Sequence, residues 1–185
     1  MNKKHWDNFY KKGKAPAEPT EFAKFCLQYI PKNSCIIDLG CGNGRDTYFF
    51  AKQKKIMGAK GLDVSTNNEW NRKANFQQGD FKDELDFDVY EVIYSRFFIH
   101  SIDTFSITKL LQMFIKDQFL MAEFRVKGDK PKLYKDHKRN LVDSDWFLGL
   151  LIGNNFDIIS FQKGTGMAKY KTEDPLVIRV IAKKK

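Results

Sequence analysis

The sequence predicts an α/β fold: a doubly wound, mostly parallel sheet of seven strands with helices on both faces. Two observations carry this. Apolar runs of strand length alternate with helical patterns along nearly the whole chain, which is the signature of a sheet covered by crossover helices. The first such run, Cys35–Leu39, is short and continuous and leads straight into a glycine-rich turn, as expected of a strand buried on both faces.

The elements follow in order. Met1–Pro19 is polar, carries Pro16 and Pro19, and reads as loosely structured. Thr20 caps a helix whose Phe22, Phe25, Cys26 and Tyr29 recur at spacings of three and four, and Pro31 ends it. After the strand at Cys35–Leu39, Gly44–Lys54 reads as a helix and Met57–Val64 as the second strand. Asn75–Gln78 is a weak third strand, and Asp88–Tyr94, rich in Val, Ile and Tyr, a fourth. Thr104–Lys116 is helical, with Ile107, Leu110, Leu111 and Phe114 on one face. Gln118–Val126 is the fifth strand, Ser144–Ile152 a helix, Phe156–Gln162 the sixth strand and Leu176–Ala182 the seventh. Two regions result: residues 1–19 as an N-terminal segment and 20–185 as one domain.

Composition agrees. The chain has 185 residues, 42% of them apolar and 30% charged, so one core forms without disulfides or metal. No apolar run follows the N-terminus, and the longest, near Phe147–Ile152, is far too short for a bilayer. Three cysteines, an odd number without a secretion signal, point to reduced thiols in a cytoplasm. Lys and Arg number 32 against 23 Asp and Glu, a net charge of +9. The excess is local: residues 125–139 hold seven Lys and Arg against two acids, and Lys183–Lys185 close the chain.

In an open α/β sheet, ligands sit at the carboxyl ends of strands where the strand order reverses. The strongest motif lies at such an end: Asp38-Leu39-Gly40-Cys41-Gly42-Asn43-Gly44. Alternate glycines let the backbone turn sharply and meet a ligand without an intervening Cβ, and a helix start offers free N–H groups. The dinucleotide fingerprint is G-x-G-x-x-G. Here the spacing is G-x-G-x-G with Asp38 in front; an acid there repels a pyrophosphate and favours a cation, such as a sulfonium carrying an amino acid.

This motif resembles the first motif of the class I S-adenosylmethionine-dependent methyltransferases, and further marks follow in order. Gly61-Leu62-Asp63 ends the second strand, with Asp63 lying 25 residues past Asp38. Gln78-Gly79-Asp80-Phe81 follows the third strand, and Asp88–Ser95 matches the fourth. The resemblance spans about residues 20–183. It implies a Rossmann-like sheet with an antiparallel last strand, and S-adenosyl-L-methionine as cofactor, with S-adenosyl-L-homocysteine as product. It also implies that Asp63, with Val64 beside it, holds the ribose hydroxyls. Asp80 meets the adenine amino group, Phe81 packs on the ring, and Ser95 lies beside the methyl. Arg45 either reaches the methionine carboxylate or pairs with Asp46.

Three segments carry acceptor chemistry. Tyr94-Ser95-Arg96-Phe97-Phe98-Ile99-His100 sets Arg96 and His100 among aromatics at i, i+4 spacing. Glu123-Phe124-Arg125 places two charges on one face of a strand that should be central, so both need partners or a cleft. Tyr134–Arg139 lies in a long irregular stretch and supplies His137 and Arg139. Arg96, His100, Arg125, His137 and Arg139, with Tyr10, Tyr94 and Phe98, form the expected acceptor pocket. It suits an anion, because an arginine fork binds two oxygens at once; alternatively, Arg125 pairs structurally with Glu123. His100 either takes a proton from a hydroxyl acceptor or only orients it. The arrangement, with Glu173-Asp174-Pro175 and Arg179-Val180, is similar to small methyltransferases of bacterial capsule and surface-polysaccharide gene clusters. The N-terminal Trp6, Phe9 and Tyr10 either fold over the pocket as a lid or pack as an ordinary helix.

Other classes fare less well. Ser95-Arg96-Phe97-Phe98 lacks the acid or amide and paired prolines of amino-methylating base enzymes, and all three cysteines precede the fourth strand, which removes cytosine C5 chemistry. Nucleic acid is therefore not the expected partner, although RNA ribose methylation has no motif against it. A non-catalytic cofactor-binding subunit is the rival of another class. No carboxylate cluster follows the fourth strand, so no metal is expected.

Overall fold

The computed structural model describes residues 3–11, 15–65, 70, 74–83, 86–129 and 140–185. Five α-helices, α1 (Lys3–Lys11), α2 (Glu21–Cys26), α3 (Arg45–Ala51), α4 (Thr104–Gln112) and α5 (Ser144–Gly153), surround seven strands. The strands are β1 (Ser34–Leu39), β2 (Ile56–Asp63), β3 (Asn75–Gln78), β4 (Val92–Arg96), β5 (Phe119–Arg125), β6 (Phe156–Gly164) and β7 (Val177–Lys184). They form one sheet in the order β3-β2-β1-β4-β5-β7-β6. Strands β1 to β5 pair in parallel, and β7 runs antiparallel to both β5 and β6. The seven-stranded, mostly parallel sheet with an antiparallel last strand is as the sequence led us to expect.

Period-two alternation divides the core. Ile36, Val92, Tyr94, Met121 and Ile181 point to the face covered by α2 and Phe50 of α3. Their neighbours Ile37, Ile93, Leu120, Ala122 and Val180 point to the other face, beneath α4 and α5. A fully buried side chain of this size contributes about 1.5–3 kcal/mol, so β1, β4, β5 and β7 are fixed in register from both sides. The strand order reverses between β1 and β4, which opens a crevice at their carboxyl ends.

Several boundaries differ from the sequence reading. Residues 3–11 form a helix, held in part by a Lys3–Asp7 ion pair one turn apart. Strand β4 begins at Val92, not Asp88, because Tyr90 N–H turns back onto Phe87 O and Gln118 Nε2 donates to both carbonyls. Helix α4 stops at Gln112, not Lys116: Gln118 takes the Ile115 N–H, and Asp117 adopts a left-handed φ of 72° that reverses the chain into β5. Helix α3 ends at Ala51, not Lys54, where Lys52 and Gln53 close the last turn onto Phe49 and Phe50.

Candidate active site

A cavity of about 670 Å³ opens at the reversal point. Its first wall is the loop after β1. Gly40 and Gly42 have φ of 72° and 57°, a region that L side chains avoid. A Cβ on Gly40 would meet Phe98 at 2.9 Å, and one on Gly42 would overlap the Tyr10 hydroxyl. Glycine is thus required at both positions by dihedral angle, and at Gly40 by space as well. The loop is pinned to β2: Gly40 N–H and Cys41 N–H donate to Leu62 O, and Gly42 N–H donates to Asp63 Oδ2 at 2.9 Å. The other Asp63 oxygen accepts from Ser65 N–H and Oγ. Asp63 therefore faces the cavity already oriented. Val64, Asp80 and Phe81 line a narrow adjoining crevice with Gly40 and Phe98.

Asp38 is buried at the base of the loop and accepts the Thr47 hydroxyl at 2.7 Å. Burial, reinforced by the nearby Asp46 and Asp63 and opposed by Thr47 and Arg45, pushes its carboxyl from 3.8 up to about 8. In the folded state Asp38 keeps a proton that the unfolded chain releases near pH 4. Its contribution therefore weakens the fold progressively as pH rises from about 4 to about 8. Thermal melts from pH 5 to 8.5 should show wild type losing stability relative to Asp38→Asn, by up to about 1.4 kcal/mol per pH unit. A constant difference across that range would contradict the assignment.

Asp46 was expected at the cofactor. It lines the cavity, and Thr20 N–H, Thr20 Oγ and Tyr94 Oη all donate to its carboxylate within 2.8 Å. With Asn43 Nδ2 on Pro16 O at 2.9 Å, these bonds strap residues 15–20 against the glycine loop. This corrects the expectation for Tyr94, which is fully buried, commits its hydroxyl to Asp46 and does not line the cavity. Period two explains the change, since Tyr94 points with Val92 toward α2 and α3. Arg45 does not pair with Asp46. It lines the cavity, reaches Glu18 O at 3.4 Å, and has no carboxylate partner among the described residues. Helix α1 covers this end with Trp6, Phe9 and Tyr10. Burial, then the proximity of Asp63, pushes the Tyr10 hydroxyl far above its usual range.

The opposite end is built from β4, β5 and the turn after β4. Glu123 is fully buried and lines the cavity. Its two oxygens receive Arg96 Nε at 2.8 Å and Arg179 Nε at 2.7 Å. Arg125 directs one terminal nitrogen to Asp129 at 3.1 Å and the other to Glu173. The expected anion-binding arginines are therefore ion-paired, Arg96 with Glu123 and Arg125 with Asp129 and Glu173. Phe97 stands between them with its ring centre 4.3 Å from the Arg96 guanidinium carbon and 5.6 Å from that of Arg125.

His100 also needs correction. It is buried behind Phe97, ring centres 5.4 Å apart, does not line the cavity, and accepts the Arg125 N–H on Nδ1. That position fits an anchor for β5 rather than a group on the cavity wall. Residues 99–101 form a single 3₁₀ turn, so the i, i+4 spacing does not bring His100 beside Arg96 on one face. Ser95 is likewise buried outside the cavity, and its Oγ has no partner among the described residues. His137 and Arg139 lie outside the described residues.

The site thus joins a β1 glycine loop, an acid at the end of β2 and a cavity running to β4 and β5. The family model described as a methyltransferase domain matches residues 12–121. The chain belongs to the methyltransferase-domain family. Solved structures agree on this methyltransferase's fold. It is similar to the 1,6-didemethyltoxoflavin-N1-methyltransferase of Burkholderia thailandensis, at 13% identity and a TM-score of 0.75, over 99% of this chain and 87% of that one. It is similar also to a methyltransferase of Anabaena variabilis, at 15% and 0.72, over 100% and 96%. A TehB-like methyltransferase of Corynebacterium glutamicum matches at 16% and 0.70, over the full length of both. No curated protein matches the sequence.

Sequence reasoning missed Phe97 on the wall of this methyltransferase's cavity and the role of Arg179 behind it. Arg179 pairs with Glu123, and its signal was a charge inside the apolar run of β7. Phe97 carries a φ of 58°, and nothing in its sequence context marks a bulky residue for that conformation.

Proposed function

We propose that this chain transfers a methyl group from S-adenosylmethionine to a small-molecule acceptor bound at the Phe97 end of the cavity. The observation that carries the reading is a single cavity joining the glycine loop to the chamber at the ends of β4 and β5. The residues present fit the cofactor. Asp63 suits the ribose hydroxyls, the crevice at Asp80 and Phe81 suits the adenine, and Asp38 suits the amino group. Arg45, the cation here without a carboxylate partner among the described residues, suits the carboxylate. When bound, S-adenosylmethionine supplies an electrophilic methyl, which the acceptor's lone pair takes while the carbon–sulfur pair stays on sulfur.

The chain's own work is placement and cover. The strap at residues 15–20 and the aromatic face of α1 close the cofactor end, and we take residues 1–19 as that cover and 20–185 as the catalytic domain. Holding two reactants in line replaces a bimolecular encounter. The Burkholderia neighbour, solved with 1,6-didemethyltoxoflavin and S-adenosylhomocysteine, supports a small-molecule acceptor. The resemblance to surface-polysaccharide enzymes makes a phosphorylated or nucleotide-linked sugar the other acceptor class to set beside it. Among the described residues no metal-holding cluster is present and no helix is long and apolar enough to cross a membrane.

Thermal shift tests the reading. S-adenosylhomocysteine at a hundred times its Kd should stabilise the fold by about 2.7 kcal/mol, a rise of roughly 5–10 °C for a domain of this size. NAD should give none. Stabilisation by NAD alone would replace the transferase with a dinucleotide enzyme.

A further inference from the structure

Ion pairing leaves one guanidinium at the acceptor end with an edge to offer. Glu123 is shared by Arg96 and Arg179, two cations on one buried carboxylate. Arg125 has the opposite balance, one cation between Asp129 and Glu173. The positive excess therefore lies on the Arg96 side of Phe97. Arg96 meets Glu123 through Nε alone, at 2.8 Å. Its terminal nitrogens have no hydrogen-bond partner among the described residues, and they are not sealed from solvent. The side chain is 18% exposed and lines the cavity.

That edge is oriented from two sides. Glu123 holds Nε, and the Phe97 ring lies against the guanidinium with its centre 4.3 Å from Cζ. Phe97 N–H donates to Glu123 O at 2.7 Å, which ties the ring to the same strand. A guanidinium held in this way presents its two terminal nitrogens as a fork, the geometry that matches both oxygens of a carboxylate or a phosphate. Arg45 lines the same cavity, and burial, then the Arg96 charge, holds its guanidinium below the usual range. Two like charges thus face one space. The cofactor's carboxylate matches Arg45, but S-adenosylmethionine also brings a sulfonium and an ammonium. The loaded site still lacks an anion on the Arg96 side, and complementary charge there would fix the orientation of what binds.

We propose that the acceptor carries an oxyanion, a carboxylate or a phosphate, which accepts hydrogen bonds from both terminal nitrogens of Arg96. Its uncharged body lies along Phe97, Phe98 and Tyr170, which line the cavity. The proposal rests on the methyl-transfer reading above and narrows it. With the anion in place, Arg96, Glu123 and Arg179 become part of a neutral group of two cations and two anions. Neither existing ion pair is displaced, so no buried carboxylate is left uncompensated.

Calorimetry on the protein saturated with S-adenosylhomocysteine tests this. The probes are benzoate and phenyl phosphate, which tell a carboxylate site from a phosphate site, with benzamide as the neutral counterpart. At least one anion should bind saturably, and at least tenfold more tightly than benzamide. Arg96→Gln removes the fork and leaves Glu123 its partner Arg179. It should weaken that anion tenfold or more, with affinity for S-adenosylhomocysteine within threefold of wild type. Arg96→Lys, which keeps a charge for Glu123 but not the fork, should weaken the anion as well, and it serves where the glutamine variant does not fold. Benzamide binding as well as both anions, neither anion binding, or anion affinity within threefold of wild type in the Arg96 variants would overturn the proposal. A larger fall in S-adenosylhomocysteine affinity would assign Arg96 to the methionine carboxylate and overturn it too. If S-adenosylhomocysteine fails to bind the wild-type protein, the methyl-transfer reading falls and takes the acceptor role with it.

Discussion

Asp63→Ala is expected to weaken S-adenosylhomocysteine binding by at least a hundredfold, to the edge of what calorimetry detects. The carboxylate sits at the end of β2, with one oxygen on Gly42 N–H and the other on Ser65 N–H and Oγ. Alanine removes two things together. The first is the pair of acceptors offered to the ribose hydroxyls; hydrogen bonds to a charged group contribute about 1.5–3 kcal/mol each, and two of them account for a factor of about 10² to 10⁴. The second is the pin that holds Gly42 at its positive φ. Asp63→Asn keeps one acceptor oxygen, so its loss should fall between wild type and alanine. Affinity within threefold of wild type for the alanine variant would remove Asp63 from the cofactor site.

Glu123→Ala is expected to lower the thermal midpoint by about 10 °C. Glu123 is fully buried, and the side chains of Arg96 and Arg179 are 18% and 10% exposed. Removing the shared acid leaves two guanidiniums without compensation, at a cost of about 3–5 kcal/mol. For a domain of this length that corresponds to roughly 2–4 °C per kcal/mol. Removing the cations as well should restore much of the loss: Arg96→Met with Glu123→Leu and Arg179→Met should melt well above the single variant, because an apolar trio of similar volume carries no buried charge. A single variant that melts within 2 °C of wild type would show that the pair of ion bonds does not hold the chamber together.

The fold was legible because its signals are local. An apolar run, a period of two or a helix cap such as Thr20 depends on residues a few positions apart, and errors gathered at the ends of elements. Residues 88–90 have strand composition but are bent away by Gln118, a residue about thirty positions later. The cofactor loop was legible for the same reason. Gly40, Gly42 and Gly44 all adopt positive φ, and glycine spacing writes that conformation directly into the chain.

The acceptor chamber was not legible in this way. Glu123 and Arg125 announced that a charged strand needs partners, but their partners lie at Arg179, Asp129 and Glu173. The antiparallel register of β5 with β7 sets Glu123 opposite Arg179, and no local pattern encodes that pairing. The arginine-rich composition therefore suggested an anion site, while the folded arrangement gives Arg96, Arg125 and Arg179 carboxylate partners. His100 and Tyr94 were misread for a related reason. His100 stands four residues after Arg96, but a 3₁₀ turn sends its side chain away from the cavity, and the strand's alternation does the same for Tyr94.

By itself the sequence determined the architecture and the cofactor loop, because hydrophobic period and glycine placement act through the backbone of a few adjacent residues. Only the tertiary structure decided which charges remain unpaired, which aromatics face the cavity and what the N-terminal helix covers. Those depend on register and packing between segments far apart in the chain, where a carboxylate and a guanidinium cancel only if the fold brings them within hydrogen-bonding distance.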